Sequence, residues 1–321
     1  MGGNALKNTN CVRVNKELYD KIKSLILYKL SCYSFSVVFE LPEKDSFGDL
    51  DLIYEYKQGM NIRDIVNELF SPKETFSNGD ILSFSYQINE TDYFQIDLIK
   101  VPNINMAQFY FAYGDIGLIL GRILKKNNLT FGHEGLFINY ENEKIVLTSN
   151  PEVIASFLNL DYQQWLSGFD KKIDINKWIV QCKFFQKDYF NPEKFNHEYK
   201  KNLEKRPFFR EFVDYILKND MMIHSDKVTI LNESITPSVL DYIEIFGKQS
   251  EKELIDQKIQ IIRLYQEKFN GHMFLQYTDP RNINKLKEEF KTYITQTRDF
   301  NDWLRNNSID YINEQIKEFI L

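Results

Sequence analysis

The 321-residue sequence lacks any apolar run long enough to cross a bilayer, and no stretch has the layout of a signal peptide. The expectation is an intracellular, cytoplasmic protein with no membrane partner. The opening Met-Gly-Gly-Asn-Ala-Leu begins like a myristoylation signal, but Leu6 stands where that signal needs Ser or Thr. Cysteine is scarce. Cys11, Cys32 and Cys182 are odd in number and far apart, which fits neither a disulfide framework nor a zinc spacing. His133, His197, His224 and His272 are equally scattered and read as surface or capping residues. No GxGxxG is present: Gly114, Gly117 and Gly121 sit at helical spacing and read as a smooth face for close packing. Positive charge is also in deficit. A net charge of −6 argues against broad non-specific nucleic-acid binding, though a local basic groove is compatible with it.

What is present is a substantial core, with 43% hydrophobic residues in a chain long enough for two domains. Leu18, Ile22, Leu25 and Ile26 place one stripe on a helix over Leu18 to Leu30. Ser34 to Leu41 reads as a strand ended by Pro42, and Leu50 to Tyr56 as the next. Asn61 caps a short helix whose buried face is Ile62, Ile65, Val66 and Leu69. Asp80 to Ile88 and Tyr93 to Val101 form a hairpin across Asn-Glu-Thr-Asp. The order predicts an α+β fold, a small mixed sheet with helices on one face. The remainder is mainly helical. Asn-Pro pairs at Asn150-Pro151 and Asn191-Pro192, and Thr236-Pro237, mark helix starts. Gly135–Tyr140 and Lys144–Thr148 form a second hairpin. Ile309, Ile312, Ile316, Phe319 and Ile320 are the expected buried stripe of the last helix.

Three carboxylates break this pattern. In a strand, residues i and i+2 project from one face, roughly 6–7 Å apart, so Asp49 and Asp51 point the same way. Asp97 lies mid-strand in Phe-Gln-Ile-Asp-Leu-Ile, with Phe94, Ile96 and Leu98 on one side and Gln95, Asp97 and Ile99 on the other. If the two strands are neighbours, the three converge. Like charges that close raise each other's pKa and call for a neutraliser. Mg²⁺, a hard ion that takes oxygen ligands, is the natural one, with Mn²⁺ the alternative. Two such ions sharing carboxylates suit phosphoryl or nucleotidyl transfer. Asp49, Asp51 and Asp97 are the candidate metal ligands and catalytic residues. Asp97 is placed to help receive a hydroxyl proton.

Phe-Gly-Asp-Leu-Asp-Leu-Ile (Phe47 to Ile53) followed by Phe-Gln-Ile-Asp-Leu-Ile (Phe94 to Ile99) resembles the signature of the polymerase-β-type nucleotidyltransferase superfamily. That superfamily includes poly(A) polymerases, CCA-adding enzymes and small-molecule nucleotidyltransferases. The likeness covers roughly residues 18–101. Over its longer layout the chain also resembles an uncharacterised branch found in giant viruses, phages and fungi, through Gly-Gly-Asn-Ala-Leu, Lys-Asp-Ser-Phe-Gly-Asp-Leu-Asp-Leu-Ile and Tyr-Gly-Asp-Ile-Gly-Leu-Ile-Leu-Gly-Arg-Ile. The resemblance implies a nucleotidyltransferase sheet and an enzyme that moves NMP from an NTP, ATP first among them, to a hydroxyl with release of pyrophosphate. It implies two Mg²⁺ at Asp49, Asp51 and Asp97. An RNA 3′ end is the expected acceptor. A protein or small-molecule acceptor is the alternative, as is a degenerate enzyme serving as a binding subunit.

One departure stands out. Members usually carry Gly-Ser or Gly-Gly about ten residues before the first Asp, on a turn that grips the triphosphate. This chain has none there, and its one Gly-Gly is Gly2-Gly3, far upstream. A glycine turn folded back to the site would suit phosphate through its N–H groups. The nucleotide-binding candidates are therefore Gly2, Gly3, Lys44, Ser46 and Gly48. Arg122 and Lys126, on the helix after the catalytic unit, complete the set. His197 to Arg210 is rich in Lys and Arg and could touch an RNA backbone, though Glu198 and Glu204 dilute it. The expected division is residues 1–110 as the catalytic domain, 111–148 as a connecting helix and hairpin, and 149–321 as a helical domain.

Overall fold

A computed structural model describes residues 3–219 and 236–320. His224 lies outside the described residues. The chain divides into two compact units, Met1–Phe246 and Gly247–Leu321, so the division falls inside the stretch read from sequence as one helical domain.

In the first unit, Val14–Asn15 (β1) leads into Lys16–Lys29 (α1), which begins at an Asn15 cap, two residues ahead of the expected start. Phe35–Val37 (β2), Ser46–Phe47 (β3) and Asp49–Glu55 (β4) follow. Asn61 caps Ile62–Phe70 (α2) as expected, its side chain accepting from Arg63 and Asp64. Then come Thr75–Asn78 (β5), Ile81–Gln87 (β6) and Tyr93–Val101 (β7), and two helices, Ile104–Phe111 (α3) and Ile116–Lys125 (α4). The main sheet has the order β2-β4-β7-β6-β5. Strands β4 and β7 are parallel and the other pairs antiparallel, so the fold is mixed α+β with a mixed sheet.

Strand alternation sorts the side chains. Leu50, Leu52 and Tyr54, with Phe94, Ile96 and Leu98, pack with Tyr19, Ile22, Ile26 and Val66 from α1 and α2. The opposite face carries Ile53, Ile99 and Val101, which pack with Ile104, Ala107 and Phe111 of α3. Helices thus flank both faces, not one. The α3 contacts are with Ile53, Ile99 and Val101 at one end of these strands. Asp49, Asp51 and Asp97 share that face beyond it.

Strand β2 is shorter than expected. Its register with β4 ends at Val37↔Leu52, the Val38 N–H still donates to the Asp51 carbonyl, and the Phe39 carbonyl then accepts from the Tyr113 N–H. Close packing by glycine holds at Gly117, where a Cβ would lie 2.3 Å from the Tyr110 carbonyl oxygen. Gly114 is needed for a different reason, a left-handed φ of +77° at the turn into α4. The second hairpin is present and gains a strand missed in sequence: Thr130–Gly132 (β8), Gly135–Tyr140 (β9) and Glu143–Thr148 (β10) form an antiparallel sheet.

Helices complete the unit. Asn150 caps Pro151–Leu158 (α5) as read. Tyr162–Ser167 (α6) and Lys172–Val180 (α7) follow. Asn191-Pro192 starts only a three-residue 3₁₀ turn, and the helix His197–Lys205 (α8) begins later at an Asn196 cap. Pro207–Lys218 (α9) is next. The expected Thr236-Pro237 start is displaced: Ser238 caps Val239–Ile245 (α10), in a capping box with Asp241.

The second unit is helical, around Phe269, Phe290, Trp303 and Leu304. In its last helix Ile312 and Ile316 are buried and Phe319 and Ile320 partly so, whereas Ile309 is exposed. Among the described residues no helix is long and apolar enough to cross a membrane.

Candidate metal centre and its cleft

The parallel pairing of β4 with β7 sets Asp51 directly opposite Asp97, and Asp49 opposite Gln95. Two strands whose carboxylates face one way thereby bring them together. One oxygen from each of Asp49, Asp51 and Asp97 lies within 4.8 Å of the others. All three are half-buried.

Their electrostatics follow from that crowding. Burial pushes the Asp51 carboxyl well above the usual range, and the Asp49 and Asp97 charges add to it. Asp49 is also raised, mainly by burial, against the opposing pull of Lys44 and of the Gly3 N–H. Burial brings Asp97 up to about 6, although Ser83 and Gln95 hydrogen-bond its carboxylate and pull the other way. Gln95 Nε2 donates to both Asp97 oxygens at 2.9 Å.

The donor set is all carboxylate oxygen, with opposing protein charge from Lys44. Such a triad can bind a metal ion, and oxygen donors suit a hard divalent cation.

Asp49 and Asp51 line a cleft of about 470 Å³. Gly48, Ser46 and Lys44, three of the nucleotide-binding candidates, line it too. Lys44 is held at 2.6 Å by Glu40, 4.6 Å above the Phe47 ring. The other Glu40 oxygen accepts from Tyr19, which stacks on Phe47. Gly3 returns to the site, but as a support: its N–H donates to the Asp49 carboxylate. Gly2 lies outside the described residues.

Two sequence candidates do not belong to the cleft. Arg122 is buried, its Nε donating to the Tyr189 carbonyl and its guanidinium lying 3.9 Å from the Tyr199 ring centre and 4.4 Å from that of Phe195. Those partners come from far along the chain, so a residue read as polar-faced is sealed under a later segment. Lys126 is exposed at the C-terminal end of α4 and does not line the cleft.

Three cations outside the nucleotide-binding candidates line it as well: Arg13, Lys172 and Arg206. Arg13 is anchored on Ser46 through its side-chain oxygen at 2.9 Å and carbonyl at 2.6 Å. Arg206 pairs at 2.7 Å with the buried Asp115, whose second oxygen accepts from the Phe209 N–H near the start of α9. Lys172 pairs with Glu211 at 3.1 Å. Only Arg206 belonged to a stretch singled out in the sequence. Val38, Phe39, Phe111 and Phe208 add apolar lining.

No family model matches the chain, and no curated protein matches it.

Proposed function

We propose that the protein is a Mg²⁺-dependent nucleotidyltransferase with a polymerase-β-type catalytic sheet. It moves NMP from an NTP, ATP the expected one, to an RNA 3′ hydroxyl and releases pyrophosphate. The observation that carries the reading is the register pairing of Asp51 with Asp97, with Asp49 alongside, beside a cleft lined by four cations.

Asp49, Asp51 and Asp97 would hold the metal, with Mn²⁺ a fitting substitute by donor chemistry. Bound divalent cations would supply a lowered pKa for the attacking hydroxyl and charge stabilisation for the triphosphate. The chain's own residues do the rest. Lys44 and Arg13, each fixed by a neighbour, present positive charge to phosphate at the carboxylate end of the cleft. Gln95 and Ser83 orient the Asp97 carboxylate. Asp97, held ionised by a divalent cation there, would offer its free oxygen to the proton of the attacking hydroxyl. Phe39, Phe111 and Phe208 offer an apolar surface of the kind a base face needs. The four cations of the cleft are matched by Glu40, Asp49, Asp51 and Asp115, so the choice of RNA as acceptor rests on the resemblance and not on a net positive surface.

The test is transfer of α-labelled NTP, each base in turn, with Mg²⁺ and total RNA. Label at RNA 3′ ends with wild-type protein, and none with Asp51→Asn, is the expected result. Label in protein or in a small molecule would keep the chemistry and overturn the acceptor. No label in any fraction, with no Mg²⁺-dependent NTP binding, would overturn the reading.

A further inference from the structure

The N-terminal strap ahead of β1 is tied to the carboxylate site at Gly3 and Ala5 and to the sheet beyond it. The Gly3 N–H donates to Asp49. The Ala5 N–H donates at 2.9 Å to Gln95 Oε1, and the Nε2 of the same amide donates to both oxygens of Asp97. Farther along, the Lys7 and Asn8 N–H groups donate at 2.9 Å to the two oxygens of Glu74, beside β5. Tyr93, at the start of β7, exchanges backbone hydrogen bonds with Asn10 and Val12. The strap therefore runs across the sheet and is fixed at both ends.

Gly3 has no room for a side chain. A Cβ there would lie 2.2 Å from the Gly48 carbonyl oxygen and 2.9 Å from its carbon. Its φ of +83° is also one that side-chain-bearing residues rarely adopt. Gly48 is the residue immediately before Asp49. Any substitution at Gly3 thus pushes the strap away from the backbone that carries the first carboxylate. Gln95, 2% exposed, is the second point of attachment. Its amide has one orientation that satisfies both neighbours: oxygen toward the Ala5 N–H, nitrogen toward Asp97.

We propose that Gly3 and Gln95 are positioning residues, and that the strap sets the spacing of Asp49 and Asp97 for the metal. The inference rests on the metal-dependent reading of the triad. The strap's backbone gives Asp49 a fixed hydrogen-bond donor and, through Gln95, fixes the rotamer of Asp97. Partners of this outer kind are worth roughly 10–100-fold in metal affinity.

The experiment is Mn²⁺ titration followed by electron paramagnetic resonance on the full chain, for wild type, Gly3→Ala, Gln95→Leu and Asp51→Asn. Each is also melted in EDTA. The proposal expects about tenfold or weaker Mn²⁺ binding in both strap variants, with Gln95→Leu melting below wild type in EDTA, since Ala5 and Asp97 lose a partner, but still folded at the temperature of the titration. Loss of fold in Gly3→Ala would leave Gln95→Leu to decide. Wild-type Mn²⁺ affinity in a folded Gln95→Leu or Gly3→Ala protein would overturn the inference while leaving the metal site standing. Failure of the wild type itself to bind Mn²⁺ would overturn the metal reading and the strap's role with it.

Discussion

Asp51 and Asp97 face each other as register partners on adjacent parallel strands, Asp51 opposed by the Lys44 charge and Asp97 hydrogen-bonded by Ser83 and Gln95. Burial raises both carboxyls; the Asp49 and Asp97 charges add to the rise at Asp51, and the Asp49 charge to that at Asp97, and this crowding is the reason to expect a divalent cation among them. Asp51→Asn removes the most crowded of the three charges while keeping its shape. It should cost at least ~10²-fold in transfer, since even outer partners of a metal are worth roughly 10–100-fold. Its metal-free melting temperature should equal or exceed that of wild type, because a repulsion is lost. Steady-state rates and calorimetry check both halves.

Stability should depend on pH in a direction set by Asp97. Its folded pKa, about 6, lies above the ordinary value of 3.8, so the folded state binds the proton more tightly than the unfolded. The stability this contributes is fully present below the ordinary value and is lost as pH rises through about 6. The loss is of order 3 kcal/mol. Melting in EDTA should therefore weaken between pH 4 and pH 7, both rough bounds of that window. Added Mg²⁺ should raise the melting temperature more above the window than below it. Equal Mg²⁺ effects on both sides would argue against these carboxylates as the ligands.

Lys44 is the cation that lowers the pKa of both Asp49 and Asp51. Lys44→Met should raise the KM for NTP by roughly 10–100-fold, the worth of a hydrogen bond to a charged group. Glu40→Gln should do the same more weakly, by releasing Lys44 from its 2.6 Å partner. A KM unchanged in both variants would remove Lys44 from the phosphate site.

Arg122 should behave as a structural residue. Arg122→Ala leaves the Tyr189 carbonyl without its donor and empties the space against Tyr199 and Phe195. The expected cost is about 2–4 kcal/mol in unfolding, from one charged hydrogen bond and the cation–π contacts. The KM for NTP of the folded fraction should stay within about twofold. Denaturant titration and kinetics on the same preparation separate the two.

The carboxylate triad was legible in the sequence because strand alternation has a period of two, and because an Asp amid apolar neighbours at Asp97 breaks the pattern. The helix caps at Asn61 and Asn150 were legible for a local reason as well, each bonding two or three residues ahead. What was not legible depends on distant chain. Arg13, Lys172 and Arg206 reach the cleft from three separate segments. The burial of Arg122 depends on Tyr189, 67 residues away. The early end of β2 follows from Phe39 pairing with Tyr113. Helices on both sheet faces follow from the packing of α3 on Ile53 and Val101, which no local periodicity announces.

The most direct measurement is anomalous diffraction from crystals soaked in Mn²⁺ with a non-hydrolysable NTP analogue. The account predicts anomalous density within coordinating distance of Asp49, Asp51 and Asp97, with the triphosphate beside Lys44. Ordered analogue or Mn²⁺ elsewhere, with the three carboxylates protonated and bonded only to one another, would contradict it.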